Sequence, residues 1–179
     1  VQDAPARPEV DQAAFRKTLV DDFGAVLDRF NAMRRDEGRA LAGVLGQQLD
    51  TIERLVAISA KQAQARSETA AARLRAGLDR ILAATDAVPA DRLAQELALL
   101  AMKSDVTEEI DRLNSHVGAA RALLGAQEPV GRKLDFLIQE FNREANTLCS
   151  KAQDPALTQT GLDLKATIDQ MREQVQNVE

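Results

Sequence analysis

The chain has 179 residues, 45% of them hydrophobic, and a formal net charge of -5 at pH 7, which is enough apolar material for one folded, soluble domain or two modest ones. The net acidity excludes a surface that is basic all over, so any anionic partner has to be met by local basic stripes. A single cysteine, Cys149, excludes an internal disulfide and, without Cys or His neighbours, a zinc site.

Tyr and Trp are absent and only five Phe occur, while Ala, Leu, Arg, Glu and Gln dominate, the vocabulary of helices rather than sheets. The expected class is all-α: a helical bundle with a long helical hairpin or arm. No apolar run approaches the roughly twenty residues that span a bilayer, so no membrane is expected among the partners. The cysteine usage fits a reducing cytoplasm. Because the chain begins at Val1 rather than Met, its true start is expected to lie upstream, and a removed targeting segment stays open.

Residues 1–10, VQDAPARPEV, carry Pro5 and Pro8 and read as a linker. Residues 11–88 read as a helical arm. Asp11 can cap its start, and Phe15, Leu19, Phe23, Val26, Leu27 and Phe30 recur at spacings of three and four on one face. A second run from about Glu37 carries Leu41, Val44, Leu45, Leu49, Ile52, Leu55, Val56 and Ile58, with Gly38 as a break or a close contact. A third, from Ser67, carries Leu74, Leu78, Ile81 and Leu82. Gly43 and Gly46 permit close helix approach.

A boundary is placed near residue 88, where Pro89 suits the first turn of a new helix. Residues 89–179 then read as a carboxy-terminal module of four helices: Leu93, Leu97 and Leu100 on the first; Ile110, Leu113, Val117 and Leu124 on the second, after Asp105; Leu134, Leu137, Ile138, Phe141, Ala145 and Leu148 on the third; and Leu164, Ile168, Met171, Val175 and Val178 on the last. Gly125 to Gly131, with Pro129, is the clearest turn, and Asp154-Pro155 opens the last helix.

The polar residues of this module fall into groups. Glu109, Arg112 and His116 share a helix face, and Glu108 also reaches Arg112. On the third helix, Asp135, Gln139, Asn142 and Asn146 form one row and Glu140, Arg143, Glu144 and Thr147 a neighbouring one. On the last helix, Lys165, Asp169, Arg172, Gln176 and Glu179 form a stripe. Asn142 and Asn146 are out of place on a solvated helix face, because asparagine competes with the helix for backbone hydrogen bonds; two of them suggest fixed polar partners.

Acid–arginine pairs at these spacings are often simple intrahelical pairs worth roughly 0.2 to 0.5 kcal/mol, and the last helix fits that description. The first two groups combine carboxylates, amides, arginine and the only histidine, the inventory for a divalent metal and an anionic substrate; an inter-helix polar network that fixes register uses the same inventory. His116 suits either general acid–base work or a packing role, and Cys149 reads as a small core residue. Arg66, Arg73 and Arg80 recur every seven residues along the arm, a basic line for phosphates or a solvated face.

The runs DVTEEIDRLNSH, GRKLDFLIQEFNREANTLCSKA and LKATIDQMREQVQNVE resemble the carboxy-terminal part of the YicC/YloC family of bacterial proteins, and MRRDEGRAL, Met33 to Leu41, resembles its central helical region. The resemblance implies a cytoplasmic endoribonuclease that depends on a divalent metal, manganese or magnesium, and assembles as a ring-like homo-oligomer, a hexamer, around RNA. The family's amino-terminal domain is absent from these residues, so the chain reads as a piece of a longer parent. Ala120 stands where the family usually has Phe, and Phe141 and Cys149 replace a Leu and a small residue.

Cleaving RNA requires deprotonating a 2'-hydroxyl or water, stabilising a phosphorane and protonating a leaving oxygen. One histidine cannot supply both acid and base. Within one copy of the chain that leaves a metal held by carboxylates, with His116 or a bound water moving protons, or else a site shared between subunits. The candidate metal ligands are Glu108, Glu109, Asp135, Glu140 and Glu144, and the catalytic set is Glu109, His116, Glu140 and Arg143. Arg112 and Arg143, with Arg66, Arg73 and Arg80, are the candidate RNA contacts, and the amides would hold the acids in place as supporting groups. The alternative is a helical oligomerisation scaffold whose catalysis sits in the absent amino-terminal domain; a coiled-coil adaptor without RNA is a third.

Overall fold

The structure is a computed structural model that describes residues 11–84, 90–176 and 178; the side chains at 71, 73–75, 78, 79, 81–84, 90, 91, 93, 97 and 100 lie outside that description. Among the described residues there are five helices and no strand: α1 Gln12–Ala84, α2 Ala90–Ser104, α3 Thr107–Leu124, α4 Gly131–Lys151 and α5 Pro155–Val175. The all-α bundle expected from composition is what the chain forms.

Where the apolar pattern suggested separate segments, α1 is one helix of 73 residues. The physical reason is that no proline lies between Pro8 and Pro89, and an isolated glycine costs a helix only about 1 kcal/mol relative to alanine. Gly38, Gly43 and Gly46 meet nothing within 4 Å of a Cβ built on them, so none marks a break or a close approach in this chain. The boundary placed near residue 88 falls outside the described residues.

The chain divides into two compact units, Val1–Leu41 and Ala42–Glu179. In the first, Asp11 caps α1 as expected, its Oδ1 accepting from the amides of Ala13 at 2.9 Å and Ala14 at 3.3 Å. Its apolar stripe from Phe15 to Met33 remains 43% to 68% exposed.

In the second unit the apolar stripes close on one core. Leu45, Leu49, Ile52 and Val56 of α1 join Leu113 and Val117 of α3, Leu134, Ile138, Phe141 and Leu148 of α4, and Leu157, Leu164, Ile168 and Met171 of α5. Each such side chain contributes about 1.5 to 3 kcal/mol through removal from water. Polar ties fix α1 against this core: Arg121 pairs with Asp50 at 2.6 Å and Glu53 at 2.7 Å, and Thr160 donates to Gln62 at 2.9 Å.

Helices α3, α4 and α5 pack in chain order, α4 touching both neighbours. The connection Gly125–Val130 runs α4 back along α3, and only Ala152–Asp154 separates α4 from α5. That second turn uses Gln153 at φ 45°, a left-handed conformation uncommon outside glycine. Asp154 then caps α5, accepting from the Leu157 amide at 2.9 Å with Pro155 in the first turn. At Gly161 a Cβ would meet Cys149 Sγ at 2.5 Å, so α5 approaches α4 as closely as it does only because that position lacks a side chain.

Candidate functional site

Antiparallel packing of α3 on α4 sets their polar residues opposite one another in layers. Nearest the start of α3, buried Glu109 accepts from Lys151 Nζ at 2.8 Å. One turn on, Arg112 bridges Glu144 at 3.2 Å and Glu108 on its own helix. A further turn brings His116 beside Phe141, ring centroids 5.6 Å apart and edge to face at 70°, which packs the imidazole against the core.

At this last layer His116, Glu140 and Glu144 converge. One ring nitrogen and one oxygen from each carboxylate lie within 4.8 Å of one another. Glu144 is buried, at 3% exposure, whereas Glu140 and His116 are half-buried. A buried carboxylate demands a compensating charge, and Arg112 supplies one; the Glu144 hydrogen bond, followed by the charge of Glu108, holds the guanidinium above its ordinary pKa. His116 Nε2 is buried and, among the described residues, makes no hydrogen bond. An imidazole nitrogen beside two carboxylates is a donor set that suits a divalent cation of the manganese type, with mixed nitrogen and oxygen ligands.

A family model described as "Endoribonuclease YicC-like, C-terminal" matches residues 59–179. The chain belongs to the YicC-like family. It is 40% identical over 171 residues to a protein of Haemophilus influenzae named "Probable endoribonuclease YicC", covering 96% of this chain and 58% of that protein. A protein of Clostridioides difficile with the same name is 35% identical over 153 residues, 86% of this chain and 52% of its own length. The chain thus spans about half the length of the curated relatives it matches. The matched family region runs from within α1 to the end of the chain and includes the whole His116 layer.

Within this family region the other candidate residues are distributed unevenly. Glu109 stands outside the histidine cluster, committed to Lys151, with its second oxygen buried and unpartnered among the described residues. Glu108 is exposed and tied to Arg112. Asp135 is exposed and accepts from Gln139 at 3.0 Å, also outside the cluster. Arg143 pairs with Glu140 at 3.7 Å while remaining 68% exposed.

Of the basic line on α1, Arg66 is turned to a different task. Its guanidinium donates to the carbonyls of Ser104, Lys151 and Ala152, satisfying the ends of α2 and α4 that a helix cannot satisfy itself. Arg80 is exposed and donates to the Ala76 carbonyl of its own helix at 3.2 Å. The Arg73 side chain lies outside the described residues. Cys149 is half-buried, and burial pushes its thiol above the ordinary value, in keeping with a packing residue.

Two features escape a reading of single helices. Lys151 carries no sequence signal as the partner of Glu109, since the pair is 42 residues apart. The α5 stripe of Lys165, Asp169 and Arg172, read as simple intrahelical pairs, faces α4 across an open groove lined also by Ile138, Gln139, Asn142, Arg143, Asn146 and Thr147. The asparagines thus lie in the groove, and neither makes a side-chain hydrogen bond among the described residues.

Proposed function

We propose that this chain carries the metal and phosphate-binding part of an endoribonuclease, with His116, Glu140 and Glu144 as the metal ligands. The observation that carries the reading is the convergence of one ring nitrogen and two carboxylate oxygens within 4.8 Å, in a layer where His116 Nε2 is buried without a hydrogen bond among the described residues. The names of the two relatives supply the reaction class, cleavage of RNA.

A divalent cation bound there would neutralise phosphoryl charge and lower the pKa of water. The chain's own residues define the rest. Arg112 orients the Glu144 carboxylate through its 3.2 Å contact, and Phe141 holds the imidazole ring. Arg143, exposed at the margin and only loosely paired with Glu140, is placed to exchange that carboxylate for a phosphodiester, whose developing charge a planar guanidinium matches. With His116 serving as a ligand, the proton transfers fall to solvent rather than to its imidazole. Glu109 holds Lys151 in place, and Asp135 stays outside the reaction.

The same proposal includes assembly as a homo-oligomeric ring in the cytoplasm. The exposed stripe of Phe15, Leu19, Phe23, Val26 and Phe30 supports it, because apolar faces of this size mark contact surfaces. Light scattering of the full-length protein tests it, with a monomeric mass as the contrary result.

The test of the metal centre is manganese titration followed by calorimetry, alongside RNA cleavage, on full-length His116→Ala, Glu140→Gln and Glu144→Gln. Each is expected to lose metal binding and to cleave at least about 100-fold more slowly, with mass and helicity retained. Wild-type cleavage by all three overturns the assignment. The second reading, a scaffold with catalysis in the remainder of a longer protein, draws on the half-length coverage of the relatives; it predicts that the variants lose cleavage only when the oligomer dissociates.

A further inference from the structure

We propose that the open groove between α4 and α5 is a binding track for the sugar–phosphate backbone of single-stranded RNA, which enters the His116 layer past Arg143. As to substrate, this rests on the endoribonuclease reading; the binding surface itself does not depend on the metal.

Four observations carry it. First, the groove holds Arg143, Lys165 and Arg172 against one acid, Asp169, a local positive excess in a chain of net charge -5. Second, among the described residues no hydrogen bond or ion pair engages the side chains of Lys165, Arg172, Asn142 or Asn146. Arg121 of the same unit, by contrast, is spent on Asp50 and Glu53. Third, Asn142 and Asn146 are costly in a helix interior, and each offers a donor and an acceptor suited to a 2'-hydroxyl or a base edge. Fourth, Arg143 both lines the groove and reaches Glu140 of the candidate metal cluster at 3.7 Å, so the two surfaces are continuous.

The dimensions favour a single strand. Packed helices lie about 8 to 10 Å apart, and a furrow between them admits one chain of sugar and phosphate rather than a duplex. Without Tyr or Trp anywhere in the chain, base stacking cannot dominate. Binding is therefore carried by phosphate contacts and amides, with strong salt dependence and little sequence preference.

The experiment measures fluorescence anisotropy of a labelled single-stranded RNA of about 16 nucleotides, the upper site size for single-strand-binding folds, on the full chain in EDTA. Each phosphate contact contributes about 0.7 to the salt slope, so Lys165→Gln with Arg172→Gln lowers the slope by about 1.4, about 25-fold in affinity at 0.1 M salt relative to a 1 M reference. The conservative pair Lys165→Arg with Arg172→Lys keeps the slope, Asn142→Ala with Asn146→Ala weakens binding without changing it, and Asp169→Asn tightens binding. Wild-type affinity and slope in the charge-removal pair overturn the proposal, as does equal competition by polyglutamate or by duplex RNA. Groove-dependent RNA binding without cleavage would sink the metal-centre reading and leave the track standing; cleavage with an intact salt slope in the charge-removal pair does the reverse.

Discussion

The two sides of α4 solve opposite problems. At the interface with α3 the buried acids, Glu144 of α4 at 3% exposure and Glu109 of α3, each find a cation on the facing helix: Arg112 for Glu144, Lys151 for Glu109. Toward α5 its polar side chains line an open groove, and Asn142, Asn146 and the facing Lys165 and Arg172 are left without partners among the described residues. The difference teaches that burial, not residue type, decides which charges are committed. A desolvated carboxylate must be paired, whereas a hydrated cation keeps its water and remains available to a ligand.

The strongest way to break that contrast is on the α3 side. Lys151→Met leaves Glu109 at 4% exposure without its cation, and a loss of about 3 kcal/mol is expected in urea unfolding. Adding Glu109→Gln restores much of it, since a neutral amide is cheaper to bury. An unchanged midpoint for Lys151→Met would mean that the pair is not what holds the carboxylate inside.

The next effect falls on the α5 side. Gly161→Ala places a methyl 2.5 Å from Cys149 Sγ and 3.1 Å from a Leu148 methyl, forcing α4 and α5 to adjust at a cost of about 1 to 3 kcal/mol. The same variant should speed alkylation of Cys149, whose thiol burial pushes above its ordinary value, while manganese binding at the α3 side stays as it was. Equal labelling rates would show that the thiol merely rotates aside.

Smaller is the turn between the two sides. Asp154→Ala removes the cap on the Leu157 amide and should cost about 1 kcal/mol in thermal unfolding. Smallest is a pH effect at the start of α3. The Thr107 hydroxyl, followed by the Thr107 amide, holds the Asp105 carboxyl below its ordinary 3.8. Because the folded value is depressed, the stabilisation is present above about pH 4 and is lost as pH falls through the folded value. Asp105→Asn should therefore lower stability slightly at neutral pH, where that contribution is present, and flatten the acid limb of stability against pH.

Much of the architecture was legible in the residues. The apolar stripes Leu134 to Leu148 and Leu164 to Val175, the turn around Pro129 and the Asp154-Pro155 start all fall where the helices place them, because helical period, proline and capping act over a few residues. Glu140, Glu144 and His116 were all among the candidate residues, but that these three meet while Glu108, Glu109 and Asp135 lie apart from them was not legible, because it depends on the rotation of α3 against α4. Gly38 misled because a lone glycine weakens a helix without ending it. The role of Arg66 was hidden, since its partners are carbonyls at Ser104, Lys151 and Ala152, and every residue has a carbonyl.

Sequence by itself determined that this chain is helical, where its apolar faces lie, and to which family it belongs, because these depend on local propensity and on the order of residues. Only the tertiary structure decided which charges meet. Lys151 reaches Glu109, Arg112 reaches Glu144, and Asn142 faces the furrow beside Lys165 and Arg172. Those choices follow from the rotation and spacing of packed helices, which fix each side chain's distance from water and from every other charge.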